Sequence, residues 1–248
     1  MRGLNSGAKR SAIHSVISSD LPVIACLQET KLDIVIPPLV SKTLGPSFDA
    51  FFYLSMAGTC GGILLAWHTS ELVISNLIIG ANHITTSVSS LSVEHPFWLT
   101  GVYGPQAEAD KMSFLQDLQD VRANCAGPWI LGSDFNMIVA AAHKNNSRLN
   151  MRLIRRFCRF MADMELRDLY LHGRWYTWAS EHENPTLVRI DRVLCTTTWE
   201  SAFPSCLLRC LSSTASDHCP LVLDCTPRSP GVRRFHFEKF WPHMTGFM

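Results

Sequence analysis

Residues 50–103 read AFFYLSMAGTCGGILLAWHTSELVISNLIIGANHITTSVSSLSVEHPFWLTGVY, and this stretch decides the fold. Its apolar and β-branched residues fall into runs of strand length: FFYL, GILLAW, LVISNLII, ITTSVSSLSV and FWLTGVY. Gly, Pro, Asn and His-Thr-Ser groups between the runs supply turns, so the stretch is expected to be mostly strand.

On the N-terminal side, residues 8–19 carry Ala12, Ile13, Val16 and Ile17 on one face, which predicts a helix. The buried strand PVIACLQ (22–28) follows. On the C-terminal side a helix is expected over about 107–123, with Phe114, Leu118 and Val121 facing inward, and then the strand WILGS. A third helix is expected over roughly 150–165, where Ile154, Phe157, Phe160, Met161 and Met164 form an apolar face suited to a core. Strands are expected at 188–194, 205–211 and 219–225, with a short helix near 197–202. From Pro227 the chain turns to Arg, Ser, Pro and Gly, which reads as a linker-like tail over 227–248 behind one domain over 1–226. Two strand-rich halves, each with helices, predict an α/β (α+β) two-sheet sandwich covered by helices on its outer faces. Long loops at one end of such a sandwich are a natural place for a site.

The 248 residues suffice for a sizeable core. With 22 basic against 21 acidic residues the chain is no polycation, so any nucleic-acid surface must be local. Its 9 cysteines form no C-x-x-C pair, and several stand inside apolar runs. That reads as reduced thiols in an intracellular protein. The N-terminus, MRGLNSGAKR, lacks the apolar core of a signal peptide. No apolar run reaches the roughly 18 residues of a membrane span, so no membrane partner is expected.

Polar residues stand where strands end or begin. Glu29 follows Val-Ile-Ala-Cys-Leu-Gln, and Tyr103 follows Phe-Trp-Leu-Thr-Gly-Val. Asp134 and Asn136 follow Trp-Ile-Leu-Gly-Ser, and Asp191 lies inside Val-Arg-Ile-Asp-Arg-Val-Leu. Asp217 and His218 precede the apolar run CPLVL, where a charge leaving water needs a partner. Any one of them alone is an ordinary turn or cap residue. Together they offer carboxylates for a hard cation, an amide, a phenol and an imidazole. That inventory suits metal-assisted phosphoryl chemistry better than acyl transfer, for which no G-x-S-x-G is present.

In this order, LQETK (27–31), VYGP (102–105), GSDFN (132–136), RIDRVL (189–194) and SDHCP (216–220) resemble the endonuclease/exonuclease/phosphatase superfamily. RGLNS (2–6), GGILLAW (61–67), KNNSRLN (144–150) and YTWAS (176–180) resemble the endonucleases of plant non-LTR, LINE-type retrotransposons. The resemblance implies a deoxyribonuclease-I-like fold, a four-layer α/β/β/α sandwich of two mixed sheets. It implies that Glu29 holds Mg²⁺, with Mn²⁺ an alternative, and that Asp217 sits beside the metal and the leaving group. Asp134 would orient and deprotonate the attacking water. Asn136 and Tyr103 would hydrogen-bond the phosphate or nearby oxygens. His218, held by Asp191, would donate to a non-bridging oxygen. The implied partner is DNA and the implied compartment the nucleus. The tail RRFHFEKFW (233–241) resembles the segment leading toward a reverse transcriptase, a domain this chain does not contain.

The pattern departs from the family's in places. The family's N-terminal Asn would fall just before Met1, and most of the first strand, interior in this fold, would be missing. Ser133 stands where a second Gly is usual, and Gln106 where many relatives place Asn. Residues 144–159 hold Lys144, Arg148, Arg152, Arg155, Arg156 and Arg159 with no acid among them. Arg152, Arg155, Arg156 and Arg159 share one helix face, either a solvated face or a stripe that contacts DNA phosphates. The alternatives to a DNA endonuclease are the same fold acting on an abasic site, RNA or an inositol phosphate, and an inactive remnant that binds DNA.

Overall fold

The computed structural model describes residues 3–55, 61–90, 93–211 and 216–225; the expected tail lies outside them. The stretch 50–103 forms β2 (Ala50–Leu54), β3 (Ile63–Trp67), β4 (Val73–Ile79), β5 (His83–Ser90) and β6 (Val93–Tyr103). Before it come α1 (Gly7–Asp20), β1 (Ile24–Gln28) and α2 (Pro37–Leu44). After it come α3 (Lys111–Asn124), β7 (Trp129–Asp134), α4 (Met151–Asp163), β8 (Leu166–Asp168) and β9 (Leu171–His172). The chain then forms β10 (Trp178–Ala179), β11 (Leu187–Val188), β12 (Asp191–Thr196), α5 (Thr197–Ala202), β13 (Leu207–Cys210) and β14 (Leu221–Asp224).

Period-2 alternation sorts side chains to two faces of each strand. On β3, Ile63 and Leu65 meet Ile84 and Tyr103 between the sheets. Leu64 and Ala66 point the other way, onto Val40 and Leu44 of α2 with Ile13 and Ile17 of α1. On the far sheet Val102 and Leu131 pack under Phe114 and Leu118 of α3 and Phe157 and Phe160 of α4. Ile130 and Val193 face inward to Leu208, Leu221 and Leu223. Helices thus cover two facing layers of sheet, the expected four-layer order. Each large aliphatic side chain buried this way contributes about 2 kcal/mol.

One layer is a six-stranded sheet, β4-β5-β6-β7-β12-β8. It is mixed, because α3 carries the chain from β6 to the parallel β7. The facing layer consists of two three-stranded sheets, β1-β3-β2 and β14-β13-β9. Among the described residues, β1 pairs β3 alone and β14 pairs β13 alone.

Two departures from the expected elements have local causes. The strand expected at 188–194 is divided into β11 and β12. The buried Thr177 hydroxyl accepts the amides of Ile190 and Asp191, at 3.1 and 3.0 Å, and turns the chain from one partner to the next. Helix α2 was not expected. Its two prolines fill the first turn, where no amide hydrogen is needed, and Val40, Thr43 and Leu44 form the buried face.

Among the described residues no helix is long and apolar enough to cross a membrane. The cysteines they include are free thiols, with Cys125 and Cys195 buried and Cys158 exposed.

Candidate active site

Strand register brings three polar side chains level. Tyr103 of β6 pairs Asp134 of β7, and Asp134 pairs Asp191 of β12. From the facing layer Glu29 leaves the end of β1, while His218 bridges Trp178 just before β14. Glu29, Tyr103, Gln106, Asp134, Asn136, Asp217 and His218 all line one cleft of about 370 Å³. Trp178, Val188 and Ile190 form an apolar wall of the same cleft.

Each group is held from behind. The His218 Nδ1 lies 3.1 and 3.0 Å from the two Asp191 carboxylate oxygens. An ionised carboxylate only accepts, so Nδ1–H donates and Nε2 is left for other partners. The His218 amide donates to Ser216 Oγ at 3.0 Å, and Trp178 Nε1 donates to Asp217 Oδ2 at 3.1 Å. Asn136 has a left-handed backbone, φ 51°. Its amide donates to Asp134 Oδ1 at 2.8 Å, and its Nδ2 donates to Asp134 Oδ2 at 3.1 Å and to the Gly104 carbonyl at 2.7 Å. That closeness requires a glycine, since a Cβ at 104 would meet the Phe135 carbonyl oxygen at 2.3 Å. Glu29, at φ 54°, crosses Gly61 as tightly: a Cβ there would lie 2.7 Å from Glu29 Cγ. Lys31 Nζ approaches Glu29 Oε1 at 3.4 Å.

So many acids under partial burial perturb one another. Burial, then the charge of Asp191, pushes the Asp134 carboxyl up to about 7. Burial alone would lower the His218 pKa, but the hydrogen bond and charge of Asp191, aided by Asp134, raise it instead. Burial would likewise raise Asp217, but the His218 charge and the Trp178 hydrogen bond hold it below the ordinary range. Ligand atoms of Asp134, Asp191 and His218 lie within 4.8 Å of one another. This donor set, with Glu29 and Asp217 on the same cleft, is rich in carboxylate oxygen and fits a hard divalent cation. An acid to take a proton, a charged imidazole and a cation-binding wall suit hydrolysis of a phosphate ester.

The structure brings together all the residues singled out at strand ends, with Asp191 behind His218. Arg152, Arg155, Arg156 and Arg159 lie apart from them, exposed on α4, with Ile154, Phe157 and Phe160 buried opposite. Arg159 approaches Asp163 at 3.7 Å. Sequence reasoning missed the apolar wall and Lys111, whose Nζ donates to the Asn136 carbonyl at 2.7 Å. The wall carried a signal: Val188 and Ile190 alternate with Arg189 and Asp191 at period two.

A sequence profile described as the Endonuclease/Exonuclease/phosphatase family matches residues 1–218. No curated protein sequence matches the chain at a significant level. Among solved structures, the fold is similar to the endonuclease domain of TRAS1, a telomere-specific non-LTR retrotransposon, at 15% identity and a TM-score of 0.64. That match covers 88% of this chain and 93% of the other. The AP endonuclease LMAP from Leishmania major is similar at 17% identity and a TM-score of 0.60, over 85% of this chain and 80% of that one. TDP2 from D. rerio, complexed with a single-strand DNA product, is similar at 15% identity and a TM-score of 0.57, over 88% and 91%.

Proposed function

The chain belongs to the endonuclease/exonuclease/phosphatase family, and on that premise we propose that it is a Mg²⁺-dependent DNA endonuclease of the LINE type. It nicks one strand and leaves a 3′-hydroxyl that primes reverse transcription. The reading rests on one observation: Glu29, Tyr103, Asp134, Asn136, Asp217 and His218, far apart in sequence, line a single cleft. The similarity to the TRAS1 endonuclease domain supports the LINE assignment, and the TDP2 complex with a DNA product supports a DNA substrate.

Glu29 and Asp217 would hold the cation, which supplies positive charge for the phosphate oxygens as negative charge develops on them. Asp134 orients the attacking water and takes its proton. Tyr103 hydrogen-bonds the phosphate, and Asn136, whose amide and Nδ2 donate to both Asp134 oxygens, holds that carboxylate in place. Protonated His218, its Nδ1–H engaged by Asp191, turns Nε2–H toward a non-bridging oxygen. The wall of Trp178, Val188 and Ile190 packs against the sugar beside the scissile phosphate and excludes water from that side. Phosphodiester hydrolysis is slow enough unaided that these groups together must supply on the order of 20 kcal/mol.

The direct test is nicking of supercoiled plasmid in Mg²⁺ or EDTA, with His218→Ala as control. Nicking is expected in Mg²⁺ alone and should fall by about 10²–10⁴ in the variant, the span of positioned proton donors. Nicking that survives EDTA, or ignores the His change, overturns the reading. A panel of intact duplex, abasic duplex, RNA and inositol phosphate separates it from the same fold with another substrate. DNA affinity without cleavage would identify an inactive DNA-binding remnant.

A further inference from the structure

Lys111 is the first residue of α3, a place where a cation opposes the helix dipole. It also occupies the head of that helix's buried stripe, ahead of Phe114, Leu115, Leu118 and Val121, and is only 8% exposed. Lysine is among the residues least often buried, and an apolar side chain would sit there at lower cost. Something must offset the ammonium's placement. Burial lowers the Lys111 pKa, a shift that the charges of Asp134 and Glu108 oppose without cancelling, and its Nζ donates to the Asn136 main-chain carbonyl at 2.7 Å.

That carbonyl belongs to the residue on which the Asp134 carboxylate depends. Asn136 holds an uncommon left-handed backbone, φ 51°, and donates to both Asp134 oxygens. Lys111 itself lies off the cleft lining, so it reaches a reaction through its contact with Asn136 and through its charge on Asp134. We propose that Lys111 is a positioning residue: its buried ammonium clamps the Asn136 main chain, and so fixes the two donors that aim the Asp134 carboxylate at the attacking water. The inference rests on the endonuclease reading above for what is aimed, and on the Lys111–Asn136 contact for what does the aiming.

Two variants of the full chain test it. Lys111→Met keeps the apolar stem and removes the ammonium, while Lys111→Arg keeps a charged donor. In Lys111→Met, kcat for nicking should fall about tenfold with KM within about twofold, because the missing interaction acts on the transition state. In the metal-free protein, amide exchange of Asn136 followed by NMR should quicken about tenfold, while Leu118 of α3 and Leu131 of β7 keep their protection. Lys111→Arg should restore most of both. If Lys111→Met folds poorly, Lys111→Gln, which keeps a donor without the charge, should give intermediate values. Wild-type kcat and Asn136 exchange in a folded Met or Gln variant overturn the proposal, as does faster exchange spread evenly through α3 and β7. A wild-type chain that nicks nothing defeats the endonuclease reading alone, because the exchange measurement still decides whether Lys111 clamps Asn136.

Discussion

Residues 189–192 serve two buried charge clusters that are built on opposite plans. Asp191 joins Asp134 and His218 in a group that is mostly acidic and opens to the cleft. Its neighbours Arg189 and Arg192 turn instead to Asp168, which both guanidinium groups share. Arg192 also donates to His143 Nδ1 at 2.8 Å and to the Arg189 carbonyl at 3.0 Å, while Arg189 donates to the Leu169 carbonyl at 3.3 Å. Burial, then the two guanidinium charges, pushes His143 down to about 4, so the ring is neutral and can accept. The Arg192 side chain is 0% exposed against 18% for His218. The second cluster meets its guanidinium charges with Asp168 and with other acceptors of the same chain, although the Nε atoms of Arg189 and Arg192 have no partner among the described residues, and it reads as scaffold. The first holds like charges against one another beside an opening, an arrangement that recurs at functional sites.

The sharpest way to break this contrast is Asp134→Asn. If the acid serves chemistry and not folding, nicking should drop by about 10³ as the base and its charge are removed. The metal-free protein should gain about 1 kcal/mol, because a like charge beside Asp191 is gone. Urea melts and plasmid nicking read the two halves, and a clearly destabilised Asn variant would mean that the acid also serves as scaffold. Asp168→Ala should behave in the opposite way. It strands two buried guanidinium groups and should cost about 3 kcal/mol in the same melts. The folded fraction should keep its kcat; an abolished kcat in folded protein would join the two clusters into one site.

Acidity sharpens the contrast further. The Asp134 pKa is raised to about 7 from an unfolded value near 4, so the native state holds this proton more tightly across that window. Its contribution to stability is therefore largest at low pH and fades as pH rises from about 4 to about 7. His218 is also raised, so its contribution is complete below about 6.5 and is lost as pH climbs through the folded value. Both signs agree. The metal-free protein should be less stable at pH 8 than at pH 5.5 by about 1–2 kcal/mol, and Asp134→Asn should flatten that slope. An equal stability at both pH values would show that the acids are not strained against one another.

Much of this was legible in the sequence because it is local. The runs in 50–103 have strand length and turn residues between them, and in the structure successive side chains of β3 go to opposite faces: Ile63 and Leu65 inward, Leu64 and Ala66 outward. Glu29, Asp134, Asp191 and His218 were visible because each stands at the border of an apolar run, with its motif around it. The Ser133 departure also has a physical reading, since its φ is 123°, a conformation glycine reaches without strain. What stayed hidden depends on contacts across the chain. Nothing near Lys111 announces that its ammonium ends on the Asn136 carbonyl, nor near Asp168 that two arginines from beyond residue 188 converge on it. Helix α2 was hidden for a different reason: its prolines suggest a loop until their place in the first turn is known.

The exposed arginines of α4 are a third arrangement of charge, set on a solvated face with Arg159 facing Asp163, and they set the smallest expected effect. Asn150 Nδ2 donates to Glu108 Oε1 at 2.6 Å, which ties the start of α4 to the loop that follows Tyr103 and Gly104. Arg152 therefore lies nearest the cleft end, and Arg159, about 10 Å further along the helix, already has Asp163 at 3.7 Å. If these side chains neutralise phosphates, changing Arg152, Arg155, Arg156 and Arg159 to Gln should lower the slope of log affinity against log salt by up to about 0.9 for each phosphate that is no longer neutralised. Single changes should rank Arg152 first and Arg159 last. Stability should move by less than about 0.5 kcal/mol, since nothing buried depends on these groups. Fluorescence anisotropy with a labelled duplex across a salt series reads the slope. An unchanged slope would make the arginines a solvated helix face.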